Sequence, residues 1–132
     1  MRIKGKMFSG LGEGAFFTQL DWVKEQCQAK LEFLPSPGTL NLYVDSQSSG
    51  ILKKLQEAEG ISLIPPTPEF CQAKCFPVLI GSMRGAIIIP QAEPFTNKVH
   101  PPEVIEIIAP VNIKESLPAK DGDEIWVELE TL

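Results

Sequence analysis

The stretch Thr39-Leu40-Asn41-Leu42-Tyr43-Val44 alternates polar and apolar side chains and follows a Pro37-Gly38 turn. In an extended chain, successive side chains point to opposite faces of a sheet. One face of this stretch carries Leu40, Leu42 and Val44, and the other carries Thr39, Asn41 and Tyr43. The alternation therefore predicts a strand with one apolar and one polar face.

Further strand patterns occur on both sides of this stretch. They are predicted at residues 3–8, 15–20, 61–64, 70–80, 85–89, 104–108 and 124–130. One helix is predicted to begin with Asp21 as its N-cap, to carry an apolar stripe at Val23, Cys27 and Leu31, and to end before Pro35. Another helix is predicted over residues 46–59. Short strands with two helices and no regular β–α alternation predict a mainly β fold: a compact barrel with helical insertions, in one domain over residues 1–132.

The composition is that of an ordinary globular domain. The chain has 132 residues, 43% hydrophobic and 22% charged, so a packed core is expected. Its formal net charge of −5 argues against binding a nucleic-acid backbone, which requires a basic surface. No apolar run reaches the length of a transmembrane helix, and no secretory signal is recognisable. We therefore expect a cytoplasmic protein with reduced thiols and with neither a nucleic-acid nor a membrane partner.

Gly10-Leu11-Gly12-Glu13-Gly14 is the most glycine-rich segment and follows a predicted strand. Alternate glycines allow a sharp turn and let successive N–H groups approach an anion. The segment differs from the dinucleotide-binding pattern because residues 15–20 are predicted as a strand rather than as the start of a helix. It is not a Walker loop either, since no Gly-Lys-Ser/Thr closes it. Both a plain hairpin turn and a phosphate-binding turn fit this segment.

Thr39 and Asn41 carry two neutral oxygens on the same face of the predicted strand. Such a pair suits a magnesium ion whose remaining ligands are phosphates and water. Carboxylates are the usual magnesium ligands, however, and none is expected beside these two residues. A sheet face with two small polar side chains is the alternative interpretation.

Glu106 is the one acid in the apolar strand Val104-Ile105-Glu106-Ile107-Ile108. A carboxylate that is buried without a partner is costly, so it must reach a donor, a ligand or solvent. A hydrogen bond to a substrate and a simply solvated strand face both satisfy this requirement.

Residues 111–114, Val111-Asn112-Ile113-Lys114, follow Pro110 and contain a candidate helix cap at Asn112. A helical turn is predicted over residues 112–117. Free N–H groups and a nearby lysine suit a phosphate or a nucleotide base. A capped surface turn without a ligand is the alternative.

Four segments in this order resemble the archaeal-type CTP-dependent riboflavin kinase family. They are Gly5-Lys6-Met7-Phe8-Ser9-Gly10-Leu11-Gly12-Glu13-Gly14, Pro37-Gly38-Thr39-Leu40-Asn41-Leu42, Val104-Ile105-Glu106-Ile107-Ile108-Ala109-Pro110 and Lys120-Asp121-Gly122-Asp123. The resemblance implies a cradle-loop (RIFT-related) six-stranded β-barrel. It also implies the conversion of riboflavin and CTP to FMN and CDP, with Mg²⁺ as the cofactor. A monomer is expected.

The resemblance assigns residues to each ligand. It implies that Thr39 and Asn41 bind magnesium. It also implies that Glu106 contacts the flavin, with Thr96 as a further contact. Glu106 is also the candidate catalytic residue. The nucleotide falls to two groups of residues: Leu11, Gly12, Glu13, Gly14, Ala15 and Phe16 in the glycine segment, and Val111, Asn112, Ile113 and Lys114 after Pro110.

Three positions depart from the family pattern. Ala15-Phe16 replaces a basic residue followed by an aromatic one, and Lys114 replaces an arginine, which removes bidentate geometry. The flavin-contacting loop is longer, so that Lys98 falls where the family has a threonine and Thr96 lies two residues earlier. A non-catalytic flavin- or nucleotide-binding module is therefore an alternative. A DNA-binding relative of the same barrel is disfavoured by the net charge.

Overall fold

A computed structural model of the chain describes residues 1–9, 13–69, 72–90, 103–117 and 119–130. Within these ranges, strands and short helices follow in the order β1 (Arg2–Phe8), α1 (Glu13–Thr18), α2 (Asp21–Lys30), β2 (Leu40–Val44), a 3-10 turn (Ser46–Ser48), α3 (Ser49–Glu57), β3 (Ile61–Leu63), β4 (Ala73–Ile80), β5 (Met83–Pro90), β6 (Val104–Ile108), α4 (Ile113–Ser116) and β7 (Glu124–Leu129). In the described part of the chain, no helix is both long and apolar enough to cross a bilayer.

The strands close into an antiparallel barrel. Their order is β3-β4-β5-β6-β2-β1-β7, and β7 pairs back onto β4 through Val78 opposite Leu129. Six strands form the ring, while β3 pairs with the first half of β4, where Leu63 lies opposite Ala73. The prediction of a mainly β, six-stranded barrel with helical insertions is confirmed.

The barrel is filled by the apolar faces of its strands. The alternation predicted for β2 is confirmed, since Leu40 and Leu42 are almost fully buried inside. In β7, Ile125, Val127 and Leu129 point inward. Outside β2, the strands contribute further buried side chains: Ile3, Met7, Phe76, Val78, Ile87, Ile105 and Ile107.

Helix α3 packs against this inner core through two of its side chains, Leu52 and Leu55. The end of the helix is tied to β4, because the buried Lys74 ammonium donates to the carbonyl oxygens of Gln56 and Ala58. The last carbonyl oxygens of a helix have no N–H group further along the helix to accept from, so a lysine side chain is a suitable donor for them.

A second apolar core lies outside the barrel, between α2 and the outward faces of β4, β5 and β6. The stripe predicted at Val23, Cys27 and Leu31 is buried there against strand residues that include Cys75 and Ile88. Burial raises the pKa of Cys27 to about 11 and that of Cys75 to about 12, since a thiolate loses hydration in an apolar site.

The predicted cap of α2 is wrong by one position. The structure has Leu20 at the N-cap and Asp21 as the first helical residue, and no side-chain cap is formed. The Asp21 carboxylate nevertheless lies in the first turn, where the helix dipole favours a negative charge.

The strand predicted over residues 15–20 is also wrong, because Glu13–Thr18 is the helix α1. The adjacent rings of Phe16 and Phe17 have different environments: Phe16 is 68% exposed, whereas Phe17 packs edge-on against Trp22 of α2 with ring centroids 6.0 Å apart. This tertiary contact, together with a buried Thr18, favours a helical turn over the strand that the aromatic content indicates. The argument that set the glycine segment apart from a turn leading into a helix therefore fails.

Candidate functional site

Two of the predicted site residues lie side by side on the outer face of the barrel. Asn41 of β2 is directly opposite Phe8 of β1 on one side and Glu106 of β6 on the other. Opposite residues in antiparallel strands point to the same face. Because the neighbouring Leu42 points into the barrel, this row faces outward, and it continues through Glu106 to Ile88.

Thr39 and Asn41 are close together, as the strand period predicts. The Thr39 hydroxyl donates to Asn41 Oδ1 over 3.4 Å. Asn41 is only 6% exposed, while Thr39 and Glu106 are half-buried. The expectation that no carboxylate lies beside the pair is wrong, because the β2–β6 register brings Glu106 next to Asn41.

These oxygens fit a hard divalent cation. Oxygens in adjacent positions of a magnesium shell lie about 3 Å apart, close to the separation of Thr39 Oγ1 and Asn41 Oδ1. Among the described residues there is no group of three or more His, Cys, Asp or Glu side chains that could hold a metal ion by themselves. Thr39 and Asn41 would supply two of the oxygen ligands that such a cation requires.

Residues that precede and follow the glycine segment lie beside this pair. Gly10, Leu11 and Gly12 lie outside the described residues, as does any contact they make. Before them, Phe8 is paired with Asn41. After them, α1 ends at Thr18, whose hydroxyl accepts a hydrogen bond of 3.2 Å from the N–H of Gly38, the neighbour of Thr39. Phe8 before the segment and Thr18 after it therefore both lie near the two oxygens.

Of the remaining residues predicted in that segment, Glu13, Gly14 and Ala15 are described only as backbone of α1. Phe16, also in α1, presents most of its ring to solvent.

The Lys120–Asp123 motif anchors the end of β1 on the edge that does not pair with β2. Met7 N–H donates to Asp123 O over 2.9 Å, and Gly122 N–H donates to Met7 O over 2.7 Å. The Ser9 hydroxyl donates to Asp121 Oδ2 over 2.7 Å. Gly122 has φ +94°, a conformation that favours glycine. Sequence reasoning assigned no role to this motif, and the structure makes it the support of the residues that lead into the glycine segment.

The predicted helical turn after Pro110 is α4, and Asn112 caps it, as expected. Asn112 Oδ1 accepts from Glu115 N–H over 3.2 Å, while Ile113 is buried in the barrel core. Val111 and Lys114 are exposed. The segment is held close to the start of β2, because Ala109 O accepts from Ser36 N–H over 2.7 Å.

The predicted flavin contact Thr96 lies in residues 91–102, outside the described part of the chain. Glu103, the residue after this segment, lies beside β2, because its carbonyl oxygen accepts a hydrogen bond of 2.7 Å from Val44 N–H. Glu103 therefore borders the pair formed by Tyr43 and Val104 at the end of β2.

A separate cleft of about 150 Å³ shares no residue with this row. Lys30, Glu32, Phe33, Arg84 and Glu130 are among the residues that line it. The Arg84 guanidinium is engaged there as a donor to Leu31 O, at the end of α2, over 3.0 Å. This hydrogen bond gives Arg84 a structural role at the end of α2.

A family model matches residues 7–129 of the chain. It carries the name CTP-dep_RFKase and the description "Domain of unknown function DUF120". The match includes the glycine segment, β2, β6, α4 and the turn at residues 120–123.

Curated archaeal proteins named "Riboflavin kinase" are similar over almost the whole chain. The identity is 34% with the protein from Methanosarcina barkeri, 36% with that from Archaeoglobus fulgidus and 38% with that from Pyrobaculum aerophilum, in each case over 98% of this chain. The chain spans 56%, 54% and 60% of the length of these relatives, respectively.

Proposed function

This chain belongs to the CTP-dependent riboflavin kinase family, and from that premise we propose that it transfers the terminal phosphoryl group of CTP to riboflavin, giving FMN and CDP. The named relatives are riboflavin kinases, which supports riboflavin as the acceptor. The choice of CTP as the donor rests on the name of the family.

The observation that carries the proposal is the pairing of Asn41 with both Phe8 and Glu106. Phe8 leads into the glycine segment, Asn41 belongs to the candidate cation site, and Glu106 is the candidate flavin contact. A phosphoryl donor and its acceptor must meet within van der Waals distance for transfer. The register gives these three elements adjacent positions on one face, which supports their action on one pair of substrates.

In the proposed reaction, the 5′-hydroxyl oxygen of riboflavin forms a bond to the γ-phosphorus of CTP. The bond between that phosphorus and the bridging oxygen breaks, and its electron pair leaves with CDP, while the hydroxyl proton is released. Such transfers depend mainly on positioning and charge neutralisation. We assign the residues 11–16 and 111–114 to the nucleotide. Glu106 would accept a hydrogen bond from the riboflavin hydroxyl or ring, and Thr96 would be a further flavin contact.

We further propose that Thr39 Oγ1 and Asn41 Oδ1 hold Mg²⁺. A divalent cation in this position neutralises the charge on the transferring phosphoryl group. The two side chains supply neutral oxygens at a suitable separation, and their own contribution is to fix where the triphosphate lies. Because Asn41 is almost fully buried, its amide is held in one orientation by its surroundings.

A non-catalytic binding module is the second candidate. It is favoured by Ala15, which stands where the family usually has a cation beside the nucleotide. Losing one cation weakens charge neutralisation without removing the rest of the site.

The deciding experiment incubates the protein with riboflavin, Mg²⁺ and each of CTP, ATP, GTP and UTP in turn, and measures FMN by chromatography. We expect FMN with CTP. FMN with another donor alone would correct the donor, and riboflavin binding without FMN from any donor would establish the binding module instead.

The cation site is tested with T39A/N41A in the same assay. We expect FMN formation to fall by roughly 1000-fold or more, because positioning and charge stabilisation are lost together. T67A, at an exposed position away from the row, is the matched control and should keep wild-type turnover. Undiminished turnover in T39A/N41A would eliminate the assignment.

A further inference from the structure

An aromatic pair lies on the outer face beside the candidate site. The rings of Phe8 and Tyr43 are stacked, with centroids 4.1 Å apart and an angle of 26° between their planes. Tyr43, the only tyrosine of the chain, is 51% exposed. Since Phe8 covers one face of the Tyr43 ring, its exposed area belongs to the opposite face and the edges. The pair therefore presents a flat aromatic surface that is backed on one side.

The register places this surface next to Glu106. Tyr43 is opposite Val104, and Asn41 is opposite Glu106, so Tyr43 and Glu106 are diagonal neighbours on one face. Diagonal neighbours in antiparallel strands are about 7–8 Å apart, within reach of one planar ligand. Glu103, whose carbonyl oxygen accepts a hydrogen bond from Val44 N–H, borders the same place.

We infer that Tyr43, backed by Phe8, is the surface on which the isoalloxazine ring of riboflavin stacks, an inference that rests on the proposed function. Flat aromatic systems stack favourably in offset geometry, and stacking a ring on one aromatic side chain is a substantial part of the affinity for such ligands. The ring contacts Tyr43, while the ribityl chain runs toward Asn41 and carries the 5′-hydroxyl to the phosphoryl group. Tyr43 is thus a positioning and specificity residue for the acceptor.

The order of residues along β2 favours the flavin over the nucleotide base as the stacked group. Thr39 and Tyr43 lie on opposite sides of Asn41. Helix α1, which follows the glycine segment, is held at the Thr39 side through Thr18 and Gly38, and the residues before α4 are held there through Ser36. A nucleotide bound by those segments has its base away from Tyr43, so the ring left to reach Tyr43 is that of the acceptor.

Trp126 provides a matched comparison on the outer face of β7. It is 51% exposed, as Tyr43 is, and it is also aromatic. Its ring, however, is occupied by two cations: Arg2 Cζ lies 4.9 Å and Lys4 Nζ 5.5 Å from the ring centroid. The substitution W126A therefore serves as a control, because it removes an equally exposed aromatic ring that lies away from the candidate site.

The test titrates riboflavin, without nucleotide, into wild type, Y43A, Y43F, Y43L and W126A and follows flavin fluorescence. We expect Y43A and Y43L to raise the Kd for riboflavin about tenfold, as expected for the loss of one stacking contact. Y43F keeps the ring and should remain within twofold of wild type, as should W126A. Urea unfolding checks that each variant is folded, and Y43L reports on the contact if Y43A is unstable.

Steady-state assays with the active donor then separate the substrates. Y43A should raise the KM for riboflavin while leaving the KM for that nucleotide unchanged. A riboflavin Kd within twofold of wild type in folded Y43A or Y43L, a raised nucleotide KM alone, or no binding of riboflavin to wild type would each overturn the inference. Tyr43-dependent binding without FMN formation would support it while refuting the kinase activity. FMN formation unaffected by Y43A would refute it and leave the kinase activity intact.

Discussion

The outer surface of this barrel differs between its two sides, although β6 contributes to both. Over β4, β5 and the end of β6, outward side chains such as Cys75, Ile88 and Ile108 are apolar and lie beneath α2. Over β1, β2 and the middle of β6, the outward row carries Asn41, Glu106 and the half-exposed Tyr43. The change from one kind of surface to the other occurs within two residues of β6.

This difference separates stability from function along the same strands. Apolar side chains that face outward are stable only when another element removes them from water, and α2 does so. Polar side chains in the neighbouring row do not require an apolar cover, and Tyr43 and Glu106 keep exposed area that a ligand can reach. Substitutions on the covered side should therefore alter folding, and substitutions in the polar row should alter activity.

The largest effect is expected for V23D in α2. Val23 is fully buried in the outer core, and a carboxylate there has no partner. We expect the free energy of unfolding to fall by about 3–5 kcal/mol, enough to unfold a marginally stable domain. Urea titration followed by circular dichroism measures this change. Q28D, at an exposed position on the same helix, is the control and should change stability by less than about 1 kcal/mol. An equal loss of unfolding free energy in V23D and Q28D would show that burial of the Val23 side chain of α2 does not stabilise the barrel.

A smaller effect, on activity alone, is expected for E106Q. The amide keeps the shape of the side chain but loses the charge that would strengthen the proposed hydrogen bond to the flavin. We expect kcat/KM for riboflavin to fall roughly 10- to 100-fold, with a change in unfolding free energy below about 1 kcal/mol. E128Q, on the exposed face of β7, should match wild type in both measurements. A loss of stability without a loss of activity would reverse the roles given to the two sides.

The smallest effect concerns the two thiols buried under α2. In a C71S variant, Cys27 and Cys75 are the remaining cysteines, and their raised pKa values leave almost no thiolate at pH 8. We expect no reaction with Ellman's reagent in the native protein and two equivalents in denaturant. Rapid labelling of native C71S would mean that α2 opens from the barrel.

The same pKa values predict how stability depends on pH. Above the ordinary thiol pKa of 9.0, the unfolded chain loses these protons first, while the folded chain keeps them up to about pH 11 at Cys27. Stability contributed by the protonated thiol is therefore complete below pH 9 and declines as the pH rises further. The difference in unfolding free energy between wild type and C27A should shrink between pH 8 and pH 10.5. A constant difference would contradict burial of this thiol.

Alternation made most of the elements predictable. The strand patterns at β1, β2, β6 and β7 and the apolar stripe of α2 each depend on side chains a few positions apart, and all were confirmed. The cap at Asn112 was also predictable, because a side chain capping a helix bonds to a residue three positions on.

Two of the features that escaped this reasoning concern the candidate site. The segment Glu13–Thr18 has no clear period, and its helical form depends on the contact of Phe17 with Trp22. The carboxylate beside Asn41 comes from Glu106, 65 positions away, through the pairing of β2 with β6. No local signal specifies such a partner, since a strand can pair with several others in more than one register.

The sequence by itself determined which side chains face the core, the separation of the two oxygens at Thr39 and Asn41, and the family to which the motifs point. The tertiary structure decided which residues meet: Asn41 with Glu106, Phe8 with Tyr43, and α2 with the outer face of the barrel. The reason is physical. Side-chain direction follows from backbone geometry over neighbouring residues, whereas strand partners are selected by burying all the apolar faces of the closed barrel at once.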